Sequence, residues 1–352
     1  MKQVLCALLA LCVCLSLTAC GEETPSTPTK EKYSAHSFDY FDTVTTITGY
    51  EQSQEEFDRV ATEIERQLGE YHRLYDIYRR YDGLNNLCTV NDLTDGLHPV
   101  VQVDPKILDL LEFSKQMYKE TGGLTNVAMG SVLKPWHDCR TSGLDDPAAA
   151  TLPDMDALKE AAKHTDIKNM VIDEANRTVT LTDPQMRLDV GAIAKGYAVE
   201  QVALWLEEEG KTGYVLNVGG NVRTIGSKPD GTGWAVGLEN PEDPTGDYIA
   251  MLELRGQALV TSGSYQRYYM VGGKRYHHII HPDTLMPAEG LLSVSVVCDD
   301  SGRGDALSTA LFCMTATEGK ALVETLDGVE ALWVAADSTR TTSSGWNQYL
   351  KK

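Results

Sequence analysis

The stretch Leu188-Asp189-Val190-Gly191-Ala192-Ile193-Ala194-Lys195-Gly196-Tyr197-Ala198 constrains the fold more than any other part of the chain. Arg187 to Val190 reads as the end of a strand, Gly191-Ala192 as a tight turn, and the residues after the turn as a helix running to about Glu209. With no bulk at the turn, a ligand can approach main-chain atoms closely. A helix starting directly after it presents free N–H groups and a partial positive charge, which suits a phosphate or another anion. Lys195 stands in the expected first turn, where a cation is unfavourable against the helix dipole and a bound anion would offset that cost. An ordinary strand-to-helix turn with a solvated lysine has the same pattern.

The 352 residues are ample for a substantial core. Asp and Glu outnumber Lys and Arg by 51 to 31, a formal net charge of −20, so no basic stripe exists to displace the counterions of a nucleic acid. An anionic ligand must be held locally, by backbone amides, a few cations or a metal ion. The N-terminus has the form of an export signal, with Lys2 before an apolar run from Val4 to Leu17 that is too short to span a bilayer as a stable helix. It ends in Leu17-Thr18-Ala19-Cys20-Gly21, which resembles the lipobox of bacterial lipoproteins. The resemblance implies removal of residues 1–19, lipid on Cys20 and a cell-membrane location on the extracytoplasmic face; a plain secretory signal with an incidental cysteine is the alternative. Residues 20–36 read as a flexible tether, 37–340 as the folded domain and 341–352 as a polar, frayed tail. Of the cysteines beyond Cys20, Cys298 and Cys313 sit in apolar runs and read as core thiols, while Cys88 and Cys139 complete a set of four with no zinc-ligand spacing. One disulfide among them is left open.

Along the domain, Phe38 to Thr48 is strand-like, and Glu55 to Tyr81 carries apolar residues at three- and four-residue intervals, predicting an amphipathic helix. Asp104-Pro105 opens a second helix that closes at Gly122-Gly123. Residues 141–152 read as a loop, Pro153 to His164 as a short helix, and Val171–Asp173 with Thr178–Leu181 as a hairpin. Further strands are expected at Tyr214–Val218, Trp234–Leu238 and Ile249–Leu254, and Ala258 to Ile280 reads as two strands joined at Gly272-Gly273. After a strand at Leu292–Cys298, a helix begins near Gly304. On that helix Asp305 and Thr309 are four apart and face the same way, a hard-cation arrangement of oxygen ligands; Asp305 as a helix N-cap with Thr309 in solvent is the competing reading. Meandering strands mixed with helices predict an α+β fold with mixed or antiparallel sheets and packed helices.

Six stretches in one order resemble the FAD:protein FMN transferases (ApbE-type flavin transferases): Phe41-Asp42-Thr43, the Leu188–Ala198 stretch, Asn217-Val218-Gly219-Gly220-Asn221, Thr261-Ser262-Gly263-Ser264-Tyr265-Gln266-Arg267, Tyr276-His277-His278-Ile279-Ile280 and Asp305-Ala306-Leu307-Ser308-Thr309-Ala310. The resemblance spans about residues 38–335 and implies a single catalytic domain. It implies cleavage of FAD at its pyrophosphate, with transfer of FMN to a Thr or Ser hydroxyl of a partner flavoprotein or redox-complex subunit, release of AMP, and Mg²⁺ as the metal. On the matching positions it implies Asp305, Thr309 and the Ala192 carbonyl as metal ligands, with Asp305 and His278 catalytic. Lys195 is placed near the phosphates, and Gly219, Gly220, Thr261, Ser262 and Gly263 line the nucleotide site. Tyr78 is the candidate for flavin packing, and Asp189 orients the turn or contacts ligand. His278 is the candidate to accept the proton of the attacking hydroxyl, with a positioning role as its alternative, and His277 reads as its outward strand neighbour.

The chain departs from the common family pattern at three places. His281 stands where an aspartate comes after the histidine motif, Leu285 where a glycine precedes Pro287, and Asn126 where an aspartate is common. Two other readings share the site: an FAD pyrophosphatase releasing FMN and AMP, and a flavin-binding lipoprotein without chemistry.

Overall fold

The structure is a computed structural model that describes residues 30–243 and 245–352; the expected signal, Cys20 and most of the expected tether lie outside the described residues. The strands in chain order begin with β1 (Glu31–Tyr40), β2 (Thr43–Glu51), β3 (Val101–Gln102), β4 (Met170–Asp173) and β5 (Thr178–Leu181). Next come β6 (Tyr214–Val218), β7 (Asn221–Ile225), β8 (Trp234–Leu238), β9 (Ala250–Leu254) and β10 (Ala258–Gly263). The last five are β11 (Tyr268–Val271), β12 (Lys274–His277), β13 (Leu291–Cys298), β14 (Glu330–Ala335) and β15 (Arg340–Thr342). The helices are α1 (Gln54–Tyr75), α2 (Leu87–Val90), α3 (Pro105–Glu120), α4 (Gly130–Asp145), α5 (Met155–Ala161), α6 (Ala194–Glu208), α7 (Ser301–Phe312) and α8 (Ala316–Val323). None of the described helices is long and apolar enough to cross a membrane.

An eight-stranded antiparallel sheet in the order β1-β2-β6-β7-β10-β13-β14-β15 organises the molecule, which is the α+β class expected. Its two faces are apolar for the reason the period of two requires. On β13, Val294, Val296 and Cys298 pack with Leu307 and Leu311 of α7, whereas Val297 turns to the opposite face with Leu252, Leu254 and Trp346. Helices α1, α3 and α6 bury Phe57, Ile64, Leu68, Leu110, Leu111, Val199 and Leu206 against Ile47, Leu216 and Val218 of β2 and β6. A further small core joins Val132 and Trp136 of α4 to Tyr269, Ile280 and Leu285.

Several expected boundaries move. Residues 31–36, read as tether, are strand: Glu31↔Glu51 through Ser37↔Thr45 pair β1 with β2, and the Tyr33 ring lies 5.7 Å from that of Phe57. The single strand expected over Phe38–Thr48 folds back on itself at Phe41-Asp42, where both residues take positive φ (54° and 51°). Helix α1 stops at Tyr75 rather than Tyr81, because the Asp76 carboxylate accepts from the N–H groups of Tyr78 (2.7 Å) and Arg79 (3.0 Å) and turns the chain. The loop expected over 141–152 is helical to Asp145, and the short helix expected from Pro153 begins at Met155. Ala258–Ile280 makes three strands, with β10 inside the main sheet and only β11 and β12 joined at Gly272-Gly273. Nor is 341–352 a frayed tail: β15 pairs with β14, and Trp346, 1% exposed, plugs the sheet face opposite the helices. The four cysteines at 88, 139, 298 and 313 are free thiols.

Candidate active site

The site begins where α6 meets α7, and Gly196 decides how closely they meet. A Cβ at Gly196 would lie 2.5 Å from the Asp305 Cβ and would collide with the Ser301 carbonyl, so only glycine fits between the helices. That proximity lets the Gly196 N–H donate to Asp305 Oδ2 at 2.7 Å. Lys195 Nζ stands 3.4 Å from Oδ1 and 3.5 Å from Oδ2, too long for strong hydrogen bonds, so Oδ1 of this buried carboxylate has no short partner among the described residues. Asp305 is not the N-cap of α7. That position belongs to Asp300, whose carboxylate accepts from the Arg303 N–H at 2.9 Å, and Asp305 lies inside the helix one turn later. Glu200 of α6 accepts from the Ser301 N–H at 2.7 Å and takes a bidentate bond from Arg223 of β7, at 2.9 Å for each pair. Two acidic groups thus hold the N-terminus of α7, and a buried ion pair locks α6 to the sheet.

The segment before α6 is not the expected strand. Arg187 makes one isolated parallel bridge to Met129, and beyond it the backbone is held by a side chain: Asn91 accepts from the Leu188 N–H at 2.7 Å and donates to the Leu188 carbonyl at 2.9 Å. Asp189 N–H donates to the Val127 carbonyl at 2.8 Å. The Asp189 carboxylate accepts from the Gly191 N–H at 2.9 Å and bridges the turn holding Ala192, while burial raises its pKa. The N-cap residue of α6, Ile193, offers no side-chain cap; the Ala194 N–H donates to the Val190 carbonyl at 2.9 Å and the Gly196 N–H to Asp305, so a carboxylate from α7 meets the first turn, with Lys195 beside it.

Strand β10 supplies the next wall, and its alternation separates two residues expected to act together. Ser262 Oγ lies 2.8 Å from Ser308 Oγ and 3.5 Å from Thr309 Oγ1, whereas Thr261 Oγ1 meets Ser295 at 2.8 Å. Ser295 belongs to the sheet face away from α7, so the Thr261 hydroxyl is turned away from the Ser262–Thr309 side. Gly219 (φ +57°) and Gly220 (φ +83°) form the β6–β7 turn, and a Cβ on Gly219 would strike Thr43, which brings the Phe41-Asp42-Thr43 stretch to the same place. Thr125, absent from the expected set, ties the 123–130 segment to α7 by donating to the Ala306 carbonyl at 2.7 Å. Asn126 is spent on its own loop, donating to the Thr165 carbonyl and accepting from the Ala128 N–H, both at 2.9 Å.

The mouth is built of loops. His278 Nδ1 donates to the Arg267 carbonyl at 3.2 Å, which fixes the tautomer and leaves Nε2 as the acceptor. Burial, then the positive charges of Arg267 and Arg140, pushes its pKa down to about 3, so the ring is neutral at physiological pH. His277 is not an outward neighbour: it is buried, its Nε2 donates to the Ala288 carbonyl at 2.8 Å, and it accepts from the Ile279 N–H at 3.3 Å. Tyr78 stands on the loop after α1 with its ring stacked on His137 (centroids 4.9 Å apart, planes at 27°), and Arg140 donates to His137 Nδ1 at 3.1 Å. Sequence reasoning does not single out His137 or Arg140; neither carries a motif, and only the packing of α4 places them here. The turn after His278 carries Leu285 at φ +59°, a conformation glycine takes without strain, and the Leu285 carbonyl accepts from Trp136 Nε1 at 2.9 Å.

Residues 41–333 match the ApbE family. The chain belongs to that family. Among curated ApbE relatives, proteins named FAD:protein FMN transferase from Klebsiella pneumoniae and Treponema pallidum are 31% and 34% identical; the matches cover 77% and 71% of this chain and 84% and 71% of theirs. The ApbE protein of Thermotoga maritima superposes with a TM-score of 0.79 at 28% identity, covering 92% of this chain and all of that one. A flavin transferase ApbE from Vibrio cholerae superposes at 0.75 with 25% identity over 91% of this chain and all of that one.

Within this ApbE fold, the donors near α7 suit a hard cation. Among the described residues no group of three or more His, Cys, Asp or Glu forms a metal cluster, so an ion here would rest on one carboxylate plus hydroxyl, carbonyl and substrate oxygens. The underused Oδ1 of Asp305, with the Thr309 hydroxyl one turn on and Ser262 beside it, meets that description.

Proposed function

We propose that the protein is an FAD:protein FMN transferase. The observation that carries this reading is the join between the Lys195–Gly196 start of α6 and Asp305 of α7, matched to a family whose curated members bear that name. A helix start carrying one ammonium, and one buried carboxylate whose Oδ1 is met by that ammonium at 3.4 Å, suit a pyrophosphate neutralised by a divalent cation. Mg²⁺ would be held by Asp305, Thr309 and the Ala192 carbonyl, and would supply charge neutralisation at the phosphate oxygens. Lys195 would face the same phosphates; Gly219, Gly220, Ser262 and Gly263 would line the nucleotide, with Thr261 contributing main chain only, and Asp189 would hold the turn.

In the transfer, the acceptor's Thr or Ser oxygen bonds to the FMN-side phosphorus while the bridging P–O bond breaks and AMP leaves with the bridging oxygen. The acceptor proton passes to Nε2 of neutral His278, which Nδ1–H holds in orientation against the Arg267 carbonyl. The acceptor is a flavoprotein or redox-complex subunit. The lipobox-like Leu17–Gly21 supports a chain anchored through Cys20 at the extracytoplasmic face of the membrane.

The test mixes the protein with FAD, Mg²⁺ and a threonine-bearing acceptor and reads intact mass. The expected gain is FMN less water, with AMP released and EDTA blocking both. AMP with free FMN and no mass gain, across a panel of acceptors, would instead favour the pyrophosphatase. Asp305→Ala is expected to lower transfer by roughly 100-fold or more while the far-UV spectrum and melting stay near wild type; transfer at the wild-type rate would remove Asp305 from the site.

A further inference from the structure

Tyr78 presents a problem of order. The residue is 59% exposed, and its hydroxyl makes no hydrogen bond among the described residues, so no hydrogen bond at the tip selects a rotamer. Its backbone is pinned: Asp76 Oδ1 accepts from the N–H groups of Tyr78 and Arg79, and Asp76 Oδ2 accepts from the Tyr81 hydroxyl at 2.9 Å. Among the described residues the one aromatic ring stacked on that of Tyr78 is His137, near-parallel at 4.9 Å.

His137 is itself fixed. Arg140, one turn on along α4, donates to Nδ1 at 3.1 Å, and a guanidinium has no acceptor to offer, so Nδ1 must be the unprotonated nitrogen and Nε2 carries the hydrogen. In that tautomer the imidazole has no free lone pair with which to act as a base. What it offers is a flat face. Helix α4 is anchored in turn by the neighbouring Trp136, bonded to the Leu285 carbonyl and stacked at 6.2 Å on Tyr276. A continuous chain of contacts therefore runs from the 281–287 turn through Trp136 and His137 to the ring of Tyr78, a residue that stays 59% exposed.

We propose that His137 is a positioning residue for the flavin: it holds the Tyr78 ring as a preformed platform, and the isoalloxazine of FAD stacks on the face away from His137 to complete a three-ring stack. This inference rests on the FAD reading above. Pre-ordering the platform removes rotamer entropy that binding would otherwise have to overcome. It acts on the flavin half of the substrate and leaves the adenine and phosphate half untouched.

The experiment titrates the protein with FAD, monitoring quenching of flavin fluorescence, and separately with ADP, which lacks the flavin. For His137→Ala the expected result is FAD affinity lower by roughly 2- to 10-fold with weaker quenching, and ADP affinity unchanged. His137→Phe, which restores a flat ring without the Arg140 bond, should return FAD affinity to within about 2-fold of wild type. Unchanged FAD affinity and quenching in His137→Ala would overturn the proposal, as would equal losses for FAD and ADP, which mark a general structural role. A ligand-free readout separates this inference from the function it rests on. In protein carrying ¹³C-labelled tyrosine, the Tyr78 ring resonance should move in His137→Ala through loss of the imidazole ring current. If wild type binds no FAD yet that resonance moves, the FAD reading fails and the His137–Tyr78 platform stands; a resonance that does not move removes the platform.

Discussion

The two sides of the cleft are built on different principles. On the inner side, Gly196, Asp305, Glu200, Arg223, Ser262 and Ser308 belong to helices and strands of the main sheet, and their polar atoms are spent on one another at hydrogen-bond distances. On the outer side, Tyr78, Arg267 and His278 sit on loops, and α4 meets Tyr78 through His137, which Arg140 holds. The inner side has no room for adjustment, because one added methyl at Gly196 meets backbone. The outer side keeps exposed rings and cations without carboxylate partners among the described residues, as in the case of Arg140. Chemistry on a phosphate needs charges placed to fractions of an ångström, whereas a mouth that admits a flavin and a protein segment needs surfaces that can be met from outside.

Three perturbations break this contrast in order of size. Arg223→Met leaves the Glu200 carboxylate buried without its partner and is expected to lower unfolding free energy by about 3–5 kcal/mol in urea denaturation. A loss below about 1 kcal/mol would mean the inner side is softer than its geometry. Gly196→Ala should cost about 1–3 kcal/mol of stability and, by pushing α6 from Asp305, about 100-fold in AMP release; normal turnover would show that the helices can separate freely. The smallest effect is at the mouth and concerns pH. Because the His278 pKa is pushed down to about 3, kcat/KM should show no histidine inflection between about pH 5 and 8, with any loss from its protonation confined to strongly acid solution. An inflection near 6.5 that disappears in His278→Gln would show that the free protein's mouth is more open to water. The sign for stability comes from the same shift. The unfolded chain binds this proton below about 6.5 and the native protein only near 3, so His278 destabilises the fold as pH falls through that window.

Much of the inner side is legible in the sequence because it is encoded locally. Small residues at Gly191-Ala192 and Gly196, paired glycines at 219 and 220, and the four-residue spacing of Asp305 and Thr309 are physical requirements written within a few letters of one another. Where sequence and structure part there, the difference lies in the partners. Leu188 reads as strand, yet its backbone is satisfied by Asn91, far back in the chain, and Thr261 reads as a site residue although β10 alternation turns its hydroxyl to Ser295. His277 reads as outward because a strand pattern places the residue but not its sides; the fold buries it against Ala288 and Phe312.

The sequence by itself determined the α+β class, the small-residue turn with its helix and the net acidic composition. Each comes from composition, or from periodicity within a few residues. Only the tertiary structure decided that residues 31–36 extend a sheet edge, that Trp346 plugs its far face, and that His137 lies against Tyr78. The first is a hairpin pairing and the other two are contacts between segments far apart in the chain. The energy that selects them is the burial of one surface against another, and no local pattern carries that information.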